Sequence, residues 1–288
     1  MPQHSSSKHT STKHSASKQN SSRHAGGQAR ATTTHKLLVF IVILLIVVLA
    51  AGVALWLWRS RPTQAPYNVL TVAPGQTIAQ TAADVERDCG IPAKQFEACA
   101  AEAGVYSGQY ALLAQAYRGS LEGFLYPETY HPSKQATASA VIKMMVNEYA
   151  KVHPNVSYHQ LIEASLIEKE ATSDSDRRNV ASVINNRLAA GMRLQLDPTV
   201  VYALGSAYDG GALSLKDTQT KSPYNTYLHT GLPPGPICSP GAASIAAAVS
   251  PAKTDYYYYI AKPDNSGLLF FHDYADFLKA KARYKAAN

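Results

Sequence analysis

An uncharged apolar run is the feature that most restricts how this chain can fold. Residues 37–58 read LLVFIVILLIVVLAAGVALWLW, without a charge or a proline. A helix of this length reaches about 33 Å, enough to cross a bilayer core of about 30 Å. Small residues at 50–52 leave a cleaved signal peptide as the alternative. However, the run is about twice as long as a signal core, and Trp56 and Trp58 are typical of an interfacial anchor. We therefore predict one retained transmembrane helix over 37–58.

The segment before this run is strongly basic. Residues 1–36 contain six Lys or Arg, five His and no acidic residue. Only Arg59 and Arg61 follow the run directly, so the charge distribution predicts a cytoplasmic N-terminus and places the rest of the chain outside the membrane. The segment lacks the apolar residues that offset chain ordering, and we predict a disordered tail over 1–36. Two interpretations of the tail remain open. It is a solvent-exposed segment whose charge sets the orientation in the membrane, or it contacts anionic lipid or a cytoplasmic partner.

The part of the chain after the run is almost neutral. Without the six cations of the tail, 21 Lys and Arg stand against 20 Asp and Glu. A nucleic-acid-binding domain carries its basic patch on the folded part, so that class is excluded. Cys89 and Cys99 flank a short helical stretch and are candidates for a disulfide, which would leave Cys238 unpaired. No CxxC pair is present, and we predict no metal and no organic cofactor.

The sequence pattern divides the exported part in two, after a linker at 59–66. Residues 67–119 combine a strand-like NVLTV, an APGQT turn and two stretches of helical periodicity, which predict a small α+β module. Residues 120–288 are helix-rich, and a Pro- and Gly-rich loop at 222–240 is long enough to suggest function. The helices are expected at 136–152, 159–171, 174–190, 197–204, 241–249 and from 274 onward, and a strand pair at 256–261 and 267–272.

Capping residues predict several of these helix boundaries. Ser173 and Asp176 have the spacing of a capping box, and Gly191 is placed to end the helix that they begin. Asp197 followed by Pro198 is typical of an N-cap and a first-turn proline.

Three glutamates lie in the segment LIEASLIEKEA, and helix geometry separates them. With residues placed at 100° steps, Glu170 lies about 60° from the apolar direction, Glu163 about 80° and Glu168 about 140°, facing solvent. Glu170 is therefore expected to be half-buried. Burial raises the pKa of a carboxyl and keeps a proton available near neutral pH, as a general acid requires. The alternative is a helix-end glutamate in a salt bridge with an arginine of the next helix.

Four motifs carry a resemblance to a known family. They are EGFLYPETY from Glu122, EKEATSDSDRRNVASVINNRL from Glu168, GMRLQLDPTVVYALG from Gly191 and SPYNTYLHTGLPPGPICSPG from Ser222. Their order and content are similar to the endolytic murein transglycosylases of the MltG/YceG-like family. Four motifs in the right order are highly specific. The chain departs from the family pattern at Arg193, Leu196 and Cys238–Ser239.

The resemblance implies an activity and a fold. The family's catalytic glutamate is the second Glu of EKE, which corresponds to Glu170. The family cleaves peptidoglycan between N-acetylmuramic acid and N-acetylglucosamine, forms 1,6-anhydro-N-acetylmuramic acid, and is thought to terminate nascent strands beside synthases or division proteins. The resemblance also implies a lysozyme-like helical catalytic domain over 120–288 and a LysM-like module over 67–119. Because the region between membrane and first motif is short, this chain is expected to keep only part of that module.

Further residues are candidates for binding the glycan. They are Glu122, Asn186, Arg187, Gln195, Asp197, Tyr224, Asn225 and Tyr227. Asn186 and Arg187 follow the inward face of their helix and either orient Glu170 or a sugar acetamido group, or form a structural polar network. The aromatic and amide side chains of the YNTY loop suit sugar recognition, with simple loop packing as the alternative.

The remaining candidates depend on where the cleft lies. Gln195 and Asp197 are expected to line it, unless Asp197 is only a helix cap. Glu122 is a candidate for a residue that contacts the catalytic glutamate from the side away from the substrate. The four tyrosines at 256–259 are interpreted as a strand with one buried face rather than as a sugar platform.

Two other functions compete with the transglycosylase hypothesis. In a muramidase-type hydrolase, water replaces the 6-hydroxyl of the sugar, and a second carboxylate normally takes part. A non-catalytic wall-binding protein or division-complex anchor would keep the fold. Such a protein is expected to have lost Glu170 or the YNTY loop, and both are present.

Overall fold

The structure is a computed structural model that describes residues 28–59, 66–108 and 110–285, with side chains from residue 33 to residue 284. It divides into two compact units, Met1–Gln64 and Ala65–Asn288. In the first, helix α1 spans Gln28–Arg59. Its part Thr33–Arg59 is long and apolar enough to cross a membrane, and its large apolar side chains are exposed.

Helix α1 is longer than the predicted span. Residues 28–36, which were assigned to the disordered tail, continue the helix, since no proline or glycine interrupts them. The prediction of disorder over 1–27 and most of the predicted linker at 59–66 lie outside the described residues.

The second unit is helix-rich with short antiparallel strand pairs, in agreement with the predicted mixed α+β class. Its first half contains β1 (Leu70–Thr71), α2 (Ile78–Cys89), α3 (Ala93–Ala100), β2 (Thr129–Tyr130) and α4 (Ala138–Val152). Its second half contains α5 (Tyr158–Glu170), α6 (Asp174–Ala189), α7 (Asp197–Leu204), α8 (Ala242–Val249), β3 (Tyr258–Ala261), β4 (Leu268–Phe271) and α9 (Tyr274–Lys285).

Contacts cross the boundary predicted between 119 and 120. Strand β1 pairs with β2, with Leu70 opposite Tyr130, and α3 packs against α4. The backbone N–H of Leu121 donates to the Ala100 carbonyl at 2.8 Å. The two predicted parts therefore share one sheet and one core. Cys89 and Cys99 are half-buried free thiols, so the candidate disulfide is not formed.

Helix α5 lies at the centre of this unit. It packs against α6 on one side and α8 on another, and each residue from 161 to 167 is buried. Helix α8 is rich in alanine, and small side chains allow the two helices to approach closely. The helix ends at Glu170, where Ala171 turns to an extended conformation with ψ 144°.

The last three elements form a separate layer. Strands β3 and β4 pair antiparallel, with Tyr258 opposite Phe271 and Ala261 opposite Leu268, and α9 packs against both strands. Residues 256–260 are all half-buried. The predicted hairpin is confirmed, but it does not have the single buried face that was expected.

The residues predicted to begin and end α6 are confirmed. At α7 the predicted N-cap residue is wrong, but Pro198 lies in the first turn as predicted. The Ser173 side chain accepts from the N–H of Asp176 at 3.1 Å, and Gly191 follows the helix with a φ of +66°. Helix α7 has Leu196 as its N-cap residue without a side-chain hydrogen bond, and Asp197 lies in its first turn. The Asp197 carboxylate is therefore free for another role.

Candidate active site

Glu170 is positioned by the boundaries of α5. Ser157 and Gln160 form a capping box that begins the helix, and the buried stretch that follows fixes its rotation. The helical wheel treated α5 as having one apolar face, but α6 and α8 cover it on several sides. Glu168, expected to face solvent, is half-buried and accepts from the N–H of Gly241 at 3.0 Å.

The Glu170 carboxyl is half-buried, and its environment favours the protonated form. Burial raises its pKa to about 7. A hydrogen bond from the Tyr259 hydroxyl and the positive charge of Arg187 act in the opposite direction, whereas the negative charge of Asp197 adds to the rise. The group can therefore donate a proton near neutral pH and accept one afterwards.

Glu170 opens into a cleft of about 440 Å³. Five of the residues predicted from the sequence line this cleft: Glu170, Arg187, Gln195, Asp197 and Tyr227. Strand β3 and helix α9 provide the other lining residues: Tyr258, Tyr259, Ile260, Tyr274, Phe277 and Lys281. The cleft thus combines two carboxyl groups, two cations and several aromatic rings.

Arg187 lines the cleft, and its side chain also forms hydrogen bonds to the backbone around it. Its Nε donates to the carbonyl of Tyr257 at 2.7 Å and an Nη donates to the carbonyl of Leu194 at 2.5 Å. The guanidinium lies 5.5 Å from the centre of the Tyr258 ring. These contacts hold the positive charge of Arg187 near the Glu170 carboxyl, where it favours the ionised form.

Another part of the cleft wall is formed by Asp197, Tyr227 and Gln195. The Tyr227 hydroxyl donates to the Asp197 carboxylate at 2.5 Å. Gln195 has a φ of +51°, in the left-handed region that is unfavourable for a side chain. Its N–H donates to the Thr226 carbonyl at 3.1 Å. Backbone strain of this kind is concentrated at functional sites, because the surrounding structure must maintain it.

Comparison with known proteins agrees with the four motifs. The model of the YceG-like family matches residues 50–283. The chain belongs to this family. The resemblance to the MltG/YceG-like family is thereby confirmed.

Two curated relatives carry the same name. An endolytic murein transglycosylase of Bacillus subtilis (strain 168) is 44% identical over 175 residues, covering 57% of this chain and 48% of the relative. One of Streptococcus pneumoniae is 31% identical over 230 residues, covering 69% of this chain and 41% of the relative. The chain spans about half the length of the curated relatives it matches.

A solved structure shows the same fold. The 2.6 Å crystal structure of a yceG-like protein from Listeria monocytogenes superposes with a TM-score of 0.65 at 32% identity. The match covers 76% of this chain and 77% of the other.

Three of the residues predicted to bind the glycan in this YceG-like chain make contacts that stabilise the YNTY loop (residues 224–227) or hold α6 to the segment before β3. Asn225 is fully buried, and its amide donates to the carbonyls of Thr218 and Thr220 at 3.1 and 2.8 Å. Tyr224 packs its ring against Tyr202 at 4.8 Å. Asn186 donates to the carbonyls of two residues that precede β3, so it belongs to the structural polar network. None of the three is among the residues that line the cleft.

Glu122 is buried away from the lining of the cleft. Its carboxylate accepts from the N–H of Ile78 at 3.1 Å and from the hydroxyl of Tyr202 at 3.2 Å. Burial raises its pKa to about 7. Glu122 therefore joins the N-terminus of α2 to α7, and its hydrogen-bond partners are Ile78 and Tyr202 rather than Glu170.

Sequence reasoning missed the contribution of β3 and α9. Tyr258 and Tyr259 line the cleft, whereas the tyrosine run was interpreted as structural. Residues from α9 join them, since this helix packs on the hairpin. The run of four tyrosines was the available signal in the sequence, but only the three-dimensional structure shows that Tyr258 and Tyr259 lie in the cleft with Glu170. Within the described residues, no group of three metal-ligating side chains is found.

Proposed function

We propose that this chain is an endolytic peptidoglycan lytic transglycosylase with Glu170 as its acid and base. The observation that carries this proposal is the half-buried carboxyl of Glu170, whose pKa is raised to about 7, at the wall of a 440 Å³ cleft. Family membership supports the reaction class, and the names of the relatives support the substrate.

The first step is protonation of the leaving group. Protonated Glu170 donates to the glycosidic oxygen between N-acetylmuramic acid and N-acetylglucosamine, and the bond from that oxygen to C1 of the muramic acid breaks. The positive charge that develops at C1 lies in a cleft that also contains the Asp197 carboxylate.

The second step closes the ring. Glu170, now a carboxylate, removes the proton of the 6-hydroxyl, and the 6-oxygen bonds to C1 to form the 1,6-anhydro sugar. Because the nucleophile belongs to the substrate, the reaction consumes no water and gains from proximity. Glu170 regains its proton, so the cycle is complete.

The other cleft residues hold the strand in this proposal. Gln195, Asp197 and Tyr227 offer hydrogen-bonding groups to the sugars, and the rings of Tyr258 and Tyr274 offer apolar faces. Arg187 holds positive charge beside the acid. Asn186, Tyr224, Asn225 and Glu122, also predicted to bind substrate, act by supporting this arrangement.

Product analysis of Glu170→Gln tests the assignment. Gln keeps the shape of the side chain but cannot exchange a proton, so we expect formation of anhydro products from uncrosslinked glycan to fall by about 100-fold or more. The fold should remain, because neutral Gln resembles the protonated acid. Glu86→Gln, at an exposed position of α2, is the matched control. Undiminished activity of Glu170→Gln would remove the basis of the proposal.

Asp197 gives a second candidate function some support. A muramidase-type hydrolase needs two carboxyl groups on either side of the bond, and Asp197 lines the same cleft as Glu170. Mass spectrometry separates the two, since the anhydro product is lighter by one water than the hydrolysis product. A non-catalytic wall-binding or division-complex anchor would release neither product.

The same proposal assigns the protein to the cell membrane as a single-pass protein. The apolar helix α1 supports an anchor, and the basic residues before it favour a cytoplasmic N-terminus with the catalytic part outside. Within this scheme, 67–119 is a partial LysM-like module and 120–288 a lysozyme-like catalytic domain. Peptidoglycan synthases or division proteins are the proposed partners, with termination of nascent strands as the role.

A further inference from the structure

A second cavity lies at the beginning of α5, and no step of the proposed reaction uses it. Its volume is about 450 Å³, and it is lined by the first turns of α5, by Leu188 of α6 and by residues 232–234 of the long loop. The wall is fixed by Tyr158, whose hydroxyl accepts from the N–H of Tyr117 at 3.0 Å and donates to the Pro234 carbonyl at 3.5 Å. The cavity is therefore built into the fold.

Glu163 is the carboxyl group in this cavity. Its side chain lines the cavity while the residue is only 8% exposed. Burial raises its pKa to about 7, and in the described part of the chain no hydrogen bond or neighbouring charge offsets this effect. A buried carboxylate without a partner costs free energy, which a ligand with a matching donor would recover.

The second cavity lies beside the cleft of Glu170. Glu163 and Glu170 are seven residues apart on α5, which corresponds to about 10 Å along the axis and a rotation of about 20°, so they share a face. On α6, Arg187 lines the cleft and its neighbour Leu188 lines the second cavity. A separation of about 10 Å along α5 is short enough for one polymer strand to contact both sites.

We propose that the second cavity binds a primary ammonium group on an aliphatic chain. If the proposed function holds, on which this step rests, the ligand is the free side-chain amine of the diamino acid in an uncrosslinked stem peptide. The ammonium pairs with the Glu163 carboxylate, and the methylene groups pack on Ile162, Leu188 and Leu232. Crosslinking converts this amine to a neutral amide, so the cavity selects uncrosslinked strands.

Binding of a model amine tests the chemistry of the cavity. The probe is Nα-acetyl-lysine N-methylamide, titrated into the full chain in detergent, with the Nε-acetylated form as the neutral control. We expect the amine to bind about tenfold or more tightly than its acetylated form, and Glu163→Gln to abolish this difference. Glu86→Gln should keep it. An equal affinity for the two probes, or an unchanged difference in Glu163→Gln, would overturn the proposal.

Turnover tests the source of the amine. Uncrosslinked strands with free stem-peptide amines should give a kcat/KM about tenfold above strands with acetylated amines, and Glu163→Gln should reduce this ratio to about one. If the variant lowers turnover of peptide-free and amine-bearing glycan by the same factor, the cavity binds sugar and the proposal fails. A second probe is the same lysine derivative linked to a glycan. If cadaverine, a free diamine, binds as tightly as this glycan-linked probe, the assignment of the amine to the stem peptide fails.

The two proposals can fail separately. Glu170→Gln should lose turnover and keep the binding of the lysine probe. An active Glu170→Gln variant together with amine binding that depends on Glu163 would contradict the proposed function alone.

Discussion

Tyr259 is the residue in direct hydrogen-bond contact with the proposed catalytic acid. Its buried hydroxyl donates to Glu170, and this bond stabilises the carboxylate. Burial and the Asp197 charge oppose it, so the Glu170 pKa of about 7 is a balance among these effects. Tyr259 is therefore a positioning residue that also adjusts the acidity of Glu170.

Replacement of Tyr259 by Phe should move the pH profile. Without the hydroxyl, the carboxylate loses a donor, and the pKa of Glu170 rises further. Because the first step needs the protonated acid, the alkaline decline in kcat/KM should shift upward by about half to one pH unit. The measurement is a pH profile of anhydro-product formation, with Tyr256→Phe as the control in the same hairpin region. An unchanged or downward-shifted decline would contradict this role.

At the scale of elements, α6 determines how β3 enters the cleft. The Asn186 amide donates to the carbonyls of Thr254 and Tyr256, each at 2.9 Å. One residue further, Arg187 donates to the carbonyl of Tyr257. These bonds fix the segment just before β3, whose next residues line the cleft.

Asn186→Ala should therefore affect stability and turnover together. It removes the amide donor from two carbonyls, of which that of Thr254 keeps only a long hydrogen bond from the Ser182 hydroxyl at 3.5 Å, and this should lower the free energy of unfolding by about 1–3 kcal/mol. Looser attachment of β3 should also lower kcat/KM. Urea unfolding and product formation of the full chain in detergent measure the two effects. Asn147→Ala, at an exposed position of α4, should match the wild type in both. Equal behaviour of the two variants would exclude this role of α6.

The elements that could be predicted from the sequence are those with local signals. Ser173 and Gly191 mark the ends of α6, and the repeated aromatic residues before Pro263 predict the hairpin, because caps and turns depend on neighbouring residues. Glu170 was likewise identified from its place on α5 and from the family motif, although its role remains a proposal.

The rest of the fold and site depends on distant contacts. Strand β1 has two residues, and its partner lies 58 to 60 residues later, so no local pattern predicts their pairing. The wheel could not show that α8 covers α5, nor that α9 reaches the cleft. Asp197 had the sequence of a cap, but Tyr227 provides its hydrogen bond instead.

At the scale of the whole molecule, buried carboxyl groups make stability depend on pH. Glu122, Glu163 and Glu170 each have a pKa raised by burial to about 7. In the unfolded chain, their pKa returns to the ordinary value of 4.5. Between these values the folded state binds more protons than the unfolded state. The stability from these groups is fully present below about pH 4.5 and is lost as the pH rises through about 7.

Glu122→Gln isolates this effect, because Glu122 is among the lining residues of neither cavity. Gln keeps an acceptor oxygen for the N–H of Ile78 but does not ionise. The free energy of unfolding of the wild type relative to this variant should fall by at most about 3 kcal/mol between pH 5 and pH 8. Denaturant unfolding of the full chain in detergent at both pH values measures it. Glu86→Gln, which replaces an exposed carboxyl group, should show almost no such change. A difference between wild type and Glu122→Gln that is the same at both pH values would mean that Glu122 does not take up a proton on folding.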